Sequence, residues 1–175
     1  MPAPPNRPLE AGRLRNIRSS DGEQLALLNA RCYAKSIDRF LFATDSDPVE
    51  GARGLLRALF DGKYGEFQEK ASFGLEIDGT LKGVTLVTRR PDYLLLADVE
   101  VDPSVQGQGH ARRLIRATLG ALADDPSAPL ALAVTEETPT AFRLYRDLGF
   151  VVREGPFTFW ARPTALGLPE PAGPG

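Results

Sequence analysis

The hydrophobic positions change period several times along the chain, and each change marks an element. Leu14-Arg15-Asn16-Ile17-Arg18 alternates apolar and polar residues, the period of a half-buried strand. Ser19, Ser20 and Asp21 then offer capping oxygens, and a helix is predicted with Leu25, Leu28 and Cys32 on one face. Lys35 to Asp47 shows no decisive period. Val49 to Phe60 reads as a second helix through Ala52, Leu56 and Leu59. Gly62 to Lys70 reads as a loop anchored by Tyr64 and Phe67.

The period then shortens. Ala71 to Ile77 and Leu81 to Thr88 flank Asp78-Gly79, a pair that tolerates the positive φ of a two-residue hairpin turn. Tyr93 to Val101 is a long apolar run, expected as a central strand covered on both faces. Gly109 to Leu122 returns to the helical period through Ala111, Leu114, Ile115, Thr118, Leu119 and Leu122. Leu130 to Thr135 is the next predicted strand. Thr138-Pro139 then supplies an N-cap and a first-turn proline for a helix with Ala141, Leu144, Tyr145 and Leu148 on one face. Gly149 stands where a left-handed residue ends such a helix. Phe150 to Val152 and Phe157 to Arg162 close the pattern as two strands around Gly155-Pro156. This order predicts a mixed α/β layer structure with helices packed on a sheet.

Composition narrows the class. The 175 residues are 42% hydrophobic and 25% charged, which suits one soluble domain with a core of its own. That domain is placed at residues 12–162, between a Pro-rich tail at 1–11 and a Pro/Gly/Ala-rich tail at 163–175. One cysteine, Cys32, and one histidine, His110, exclude a disulfide framework and a Cys/His metal site, so no metal is expected. A net charge of -2 argues against a nucleic-acid partner held by bulk charge. The sequence has no apolar run long enough to span a membrane and no apolar signal region, so a cytoplasmic location is expected.

The stretch from Asp98 to Arg113 carries the chemistry. An apolar strand ends, a glycine-rich loop follows, and a helix begins. Glycines admit positive φ and close approach of a ligand to backbone, and a helix start leaves N–H groups unpaired at the positive end of the macrodipole. Together they make an anion site suited to phosphate, with Arg112, Arg113 and Arg116 adding charge. Gly107-Gln108-Gly109 begins like a dinucleotide fingerprint, but Arg112 stands at the third glycine and no second βαβ unit follows.

Gln106-Gly107-Gln108-Gly109-His110-Ala111 resembles the Gln/Arg-x-x-Gly-x-Gly/Ala signature of the GNAT superfamily of N-acetyltransferases. Val101-Asp102-Pro103 upstream resembles that family's strand end. Downstream, Ala141 to Phe150 resembles its Ala-x-x-Leu-Tyr-x-x-x-Gly-Phe segment, at family spacing. The resemblance covers Leu14 to Trp160. It implies a central mixed sheet of about six to seven strands with helices on both faces, and direct transfer of acetyl from acetyl-CoA to a primary amine of a small molecule or peptide.

The resemblance also implies roles. Backbone amides of Gly107, Gln108, Gly109, His110, Ala111 and Arg112, in the loop opened by Gln106, hold the CoA pyrophosphate. Val99, Glu100 and Val101 pair with the pantetheine arm as an added strand would. A bulge there splays the strand from Leu130–Thr135, and one N–H at its end polarises the thioester carbonyl. Tyr145 serves the leaving thiolate while its ring packs. Thr138 stands where many members carry an Asn that contacts pantetheine, and offers fewer donors. His110 is expected as a backbone donor with a solvated ring, and Cys32 as a buried, inert thiol.

Freeing a lysine-like amine at pH 7 costs about 4.6 kcal/mol, so a base helps. Asp98 and Glu100, two apart, share a strand face, and Glu100 is ranked first; solvation or pairing with arginines is the competing reading for both. Ribosomal-protein acetyltransferases of this family carry a Glu base at the position of Ala133, so that base is not carried over; Glu136 and Glu137 lie nearby. The acceptor pocket is expected from Lys35 to Lys70, whose acids and aromatics suit a cation with an apolar part. Peptides, polyamines and amino sugars stay open, as do another acyl-CoA donor, an alcohol acceptor, a CoA-binding module without catalysis, and a homodimer.

Overall fold

In the computed structural model, which describes residues 12–33, 47–125, 128–133, 139–154 and 158–161, each predicted period becomes an element of the expected type. Strand β1 (Arg13–Asn16) and a 3-10 turn lead into α1 (Gly22–Tyr33). Helix α2 (Pro48–Phe60) follows. Asp47 caps it, its side chain accepting from the Val49 N–H at 2.9 Å. Strands β2 (Glu66–Phe67), β3 (Phe73–Ile77), β4 (Thr80–Arg89) and β5 (Leu94–Val101) come next. Then come α3 (His110–Leu122), β6 (Leu130–Ala133), α4 (Pro139–Asp147), β7 (Val151–Glu154) and β8 (Thr158–Ala161).

Seven strands follow one path, β1-β3-β4-β5-β6-β8-β7, and β2 pairs off that path with the end of β4. The stretch Gly62 to Lys70, read as a loop, therefore contains a short strand, with Phe67 opposite Thr88. The β3–β4 hairpin turns at Asp78 (φ 50) and Gly79 (φ 73), the left-handed pair that the sequence supplies. Gly149 ends α4 at φ 88. Among the described residues every pairing is antiparallel except β5 with β6, which is parallel.

The sheet is covered on both faces because β4 alternates between two apolar sets. Val84 and Leu86 pack with Leu25 and Leu28 of α1 and with Leu56 and Leu59 of α2. Val87 packs on the other side with Leu94, Leu96, Ile115, Leu122, Tyr145 and Phe150. Burying each such side chain contributes about 1.5–3 kcal/mol, which anchors the middle of the sheet under the site.

Two irregularities shape β5. Val87 lies opposite Leu96 but Leu86 lies opposite Asp98, so Ala97 is a surplus, bulged residue. Pairing with β6 stops after Leu94↔Leu130 and Leu95↔Ala131. Beyond the bulge the two parallel strands part. Among the described residues no helix is long and apolar enough to cross a membrane. Residues 1–11 and 163–175, Thr138, Glu136, Glu137, Gly155-Pro156 and most of Lys35 to Asp47 lie outside the described residues.

Candidate active site

The gap between β5 and β6 opens into a cavity of about 1070 Å³. Val99, Glu100, Val101, Gln106, Gly107, Gly109, His110, Ala111, Arg112, Ala133 and Tyr145 all line it, together with Asp98 and Cys32. The fold thus brings the predicted loop, strand end, tyrosine and acidic pair to one space. Gln108 sits in the same loop, between the two lining glycines.

The loop is built from its first residue. Asp102 caps the 3-10 turn Pro103–Val105, accepting from the Ser104 N–H at 2.9 Å and from Ser104 Oγ at 2.6 Å. It also accepts from Arg31 Nε of α1 at 2.7 Å and Lys82 Nζ of β4 at 3.3 Å. Burial opposes the charge, but these four donors hold the Asp102 carboxyl well below the usual carboxylate range. Gln106 Nε2 donates to the Val101 carbonyl at 2.9 Å and folds the loop back on the strand end.

Gly107 (φ 75) and Gly109 (φ 81) are both left-handed, and a Cβ built on either meets no atom within 4 Å. The cradle is therefore open above both glycines, and α3 begins there with no side-chain cap on its first N–H groups. Unpaired amides at a helix start beside open space fit the pyrophosphate of CoA. Arg112 is engaged with Asp147 at 2.9 Å, an exposed pair.

His110 corrects one expectation. Its ring is buried, 5% exposed, rather than solvated. Position 110 shares a helix face with Leu114 and Thr118, both fully buried, so the helical period turns the ring into the core. Burial, and then the charge of Arg113, push its pKa below the ordinary value. The imidazole is neutral, and its Nε2 has no protein hydrogen-bond partner among the described residues.

Tyr145 is buried in the α3–α4 side of the core, edge-on to Phe150 at 5.8 Å between ring centres. Burial, then the nearby charge of Asp98, push its hydroxyl up to about 12. It is a proton donor throughout the physiological range.

Asp98 and Glu100 face α1. The bulge at Ala97 places Asp98 opposite Leu86 and Glu100 opposite Val84, on the side lined by α1 and α2. Glu100 is only 4% exposed, so the solvated reading fails for it. Burial first, then the Asp98 charge and a hydrogen bond between the two carboxyls, push Glu100 well above the usual range. Burial likewise raises Asp98. Asn29 of α1 donates from Nδ2 to Glu100 Oε1. The arginine nearest by charge, Arg31, is paired with Asp102 instead. Two close carboxyls in a site that resists charge hold a proton between them and act as one titrating unit.

Cys32 is half-buried on the cavity wall, beside these acids rather than remote from the loop. Burial, Glu100, Asp98 and Asp102 all push its thiol up, so thiolate chemistry is disfavoured there. Ala133 is exposed at the end of β6 and carries no carboxyl. Asn29 went unread in the sequence. Its place on the inward face was legible, four residues after Leu25, but its partner lies 71 residues away. Among the described residues no group of three or more Cys, His, Asp or Glu could hold a metal.

This cleft lies between a glycine-rich helix start and two parting parallel strands. The acetyltransferase (GNAT) family model matches residues 37–150, more than half of the chain, and the chain belongs to that family. No curated protein matches the chain in sequence. Solved structures match its fold. The ribosomal-protein alanine N-acetyltransferase of Escherichia coli superposes with a TM-score of 0.65 at 16% identity, over 89% of this chain and 96% of that one. The PaiA N-acetyltransferase of Thermoplasma acidophilum, in complex with coenzyme A, gives 0.63 at 15% identity, over 85% and 95%. A GNAT family acetyltransferase of Brucella melitensis, in complex with acetyl-CoA, gives 0.59 at 20% identity, over 87% and 88%.

Proposed function

We propose that this chain transfers the acetyl group of acetyl-CoA directly to a primary amine. One observation carries the reading: a single cavity joins the open glycine cradle, the parted ends of β5 and β6, Tyr145 and the Asp98/Glu100 pair. Acetyl-CoA supplies the activated acyl group. The amides from Gly107 to Arg112 bind its diphosphate, and the unpaired edge of β5 from Val99 to Val101 takes the pantetheine arm as an added strand.

The residues then divide the proton work. Glu100, backed by Asp98, takes the proton that the amine must lose, directly or through one water. A raised carboxyl suits this task better than an ordinary one, because its basicity lies nearer neutral pH. Tyr145 offers its hydroxyl to the departing sulfur. With the phenol at about 12 and a free thiol near 8.5, complete transfer of its proton is uphill by about 5 kcal/mol. Tyr145 therefore stabilises the sulfur chiefly as a hydrogen-bond donor. A backbone N–H at the parted end of β5 polarises the acetyl carbonyl. The acceptor reaches the acids from the α1 side.

The test is release of free CoA thiol from acetyl-CoA in the presence of a panel of amines, peptides, polyamines and amino sugars. At least one amine is expected to accelerate release and to appear as its acetamide. In parallel, CoA and acetyl-CoA raise the melting temperature and NAD does not; a ligand at a hundredfold excess over its Kd stabilises by about 2.7 kcal/mol. Thermal stabilisation by CoA without turnover on any amine would reduce the reading to a CoA-binding module.

A further inference from the structure

We infer that Asn29 is a positioning residue for the base: its side-chain amide, reaching from α1 to Glu100 on β5, orients that carboxyl and sustains its charged form. The inference rests on the reading of Glu100 as base, and it names a residue outside every motif of the chain.

The geometry is specific. Asn29 Nδ2 donates to Glu100 Oε1, and Glu100 also shares a side-chain hydrogen bond with Asp98. A carboxylate only accepts, so the amide's NH2 end must face it. Glu100 is 4% exposed, and water does not replace a lost donor there without cost. Among the described residues Asn29 gives Glu100 a neutral side-chain donor, while Tyr33 of α1 and Tyr145 of α4 line the same cavity. Asp98 on the same strand repels the charge of Glu100, and Cys32 on α1 has a thiol raised first by burial and then by the charge of Glu100. Arg31 on α1 is held by Asp102 at 2.7 Å, as is Lys82 on β4 at 3.3 Å. The residue opposite Glu100 on β4 is the apolar Val84. A fixed dipole at the carboxylate favours its charged form against the burial and the Asp98 charge that oppose it, and it selects the rotamer in which the second oxygen is free to share a proton with Asp98.

Asn29→Leu, close in volume and without a donor, is the test, read in the pH profile of kcat/KM on the acceptor found above. The lower ionisation is expected to move up by about one pH unit, with a ~10-fold loss of rate below it and recovery toward the wild-type rate above it. Asn29→Gln, which keeps an amide donor, is expected to hold the profile near wild type. CoA affinity stays unchanged in both, since the cradle is elsewhere. In a Glu100→Gln background Asn29→Leu is expected to add no further change in the profile. If Asn29→Leu leaves the profile in place while Glu100→Gln removes the ionisation, the role of Asn29 is overturned and the base reading stands. If Glu100→Gln leaves the ionisation intact, the base reading itself falls, and the role of Asn29 with it.

Discussion

Leu86 of β4 lies opposite Asp98 of β5, one position beyond where an unbroken ladder from Val87 and Leu96 would put its partner. Adjacent β4 residues face opposite sides, so this single surplus residue, Ala97, swaps the sides of β5. Leu94 and Leu96 join the core under α3 and α4, whereas Asp98 and Glu100 turn toward α1. The same kink falls where β6 leaves β5. One bulge therefore both parts the strands and aims the acids at α1.

Deletion of Ala97 isolates the first of these effects. Leu96 keeps Val87 as its partner and Asp98 keeps Leu86, so both cores and the acidic pair retain their sides. The local kink goes with the bulge. A cooperatively folded protein is expected, with CoA affinity lowered by ~10-fold or more, equivalent to about 1.4 kcal/mol. Calorimetry checks this, and wild-type affinity in the deletion variant would show that the slot opens for another reason.

Gly109→Val addresses the cradle. Its Cβ meets no protein atom within 4 Å, so steric collision inside the protein is not the cost. The backbone at φ 81 is strained for a branched residue, at roughly 1–2 kcal/mol, and the new side chain occupies the space above the loop. The fold is expected to survive with a slightly lower Tm while CoA binding is lost. Unchanged CoA affinity would reduce the loop to a connection.

Glu100→Gln is expected to lower kcat/KM by ~10²-fold or more and to remove the lower ionisation from its profile. It should also stabilise the protein at neutral pH. The sign follows from the raised carboxyl: the folded state holds its proton above the unfolded value of about 4.3, so the buried acid costs nothing at pH 4 and progressively more as pH rises. Melting curves at pH 4 and pH 8 should therefore diverge, with the variant ahead of wild type only at pH 8. Loss of both activity and stability at pH 8 would mark Glu100 as structural.

Tyr145→Phe makes the contrast. The ring and its contact with Phe150 remain, so stability should change little. The hydroxyl titrates only near 12, far above the assay range, so the profile should keep its shape while kcat falls by ~10–100-fold. A changed lower ionisation in this variant would assign part of the base role to Tyr145.

The sequence by itself determined the elements, their order and the loop. Periods of 2 and 3.6 residues, Asp78-Gly79, the first-turn Pro139 and Gly149 are local signals, and local sterics decide them without a tertiary partner. The two left-handed glycines, Gly107 and Gly109, were legible in the same way, while their grouping with Tyr145 was what the resemblance to the acetyltransferase family implied. The tertiary structure decided what depends on register and on long-range contact. The bulge at Ala97 arises only when β5 pairs with β4, and alternation along β5 alone would have left Asp98 and Glu100 on the side of Leu96. The burial of His110 follows from where α3 docks, and that of Glu100 and its bond to Asn29 from where α1 docks on the sheet. Protonation follows burial, so the chemistry of the acidic pair could be read only after its surroundings were fixed.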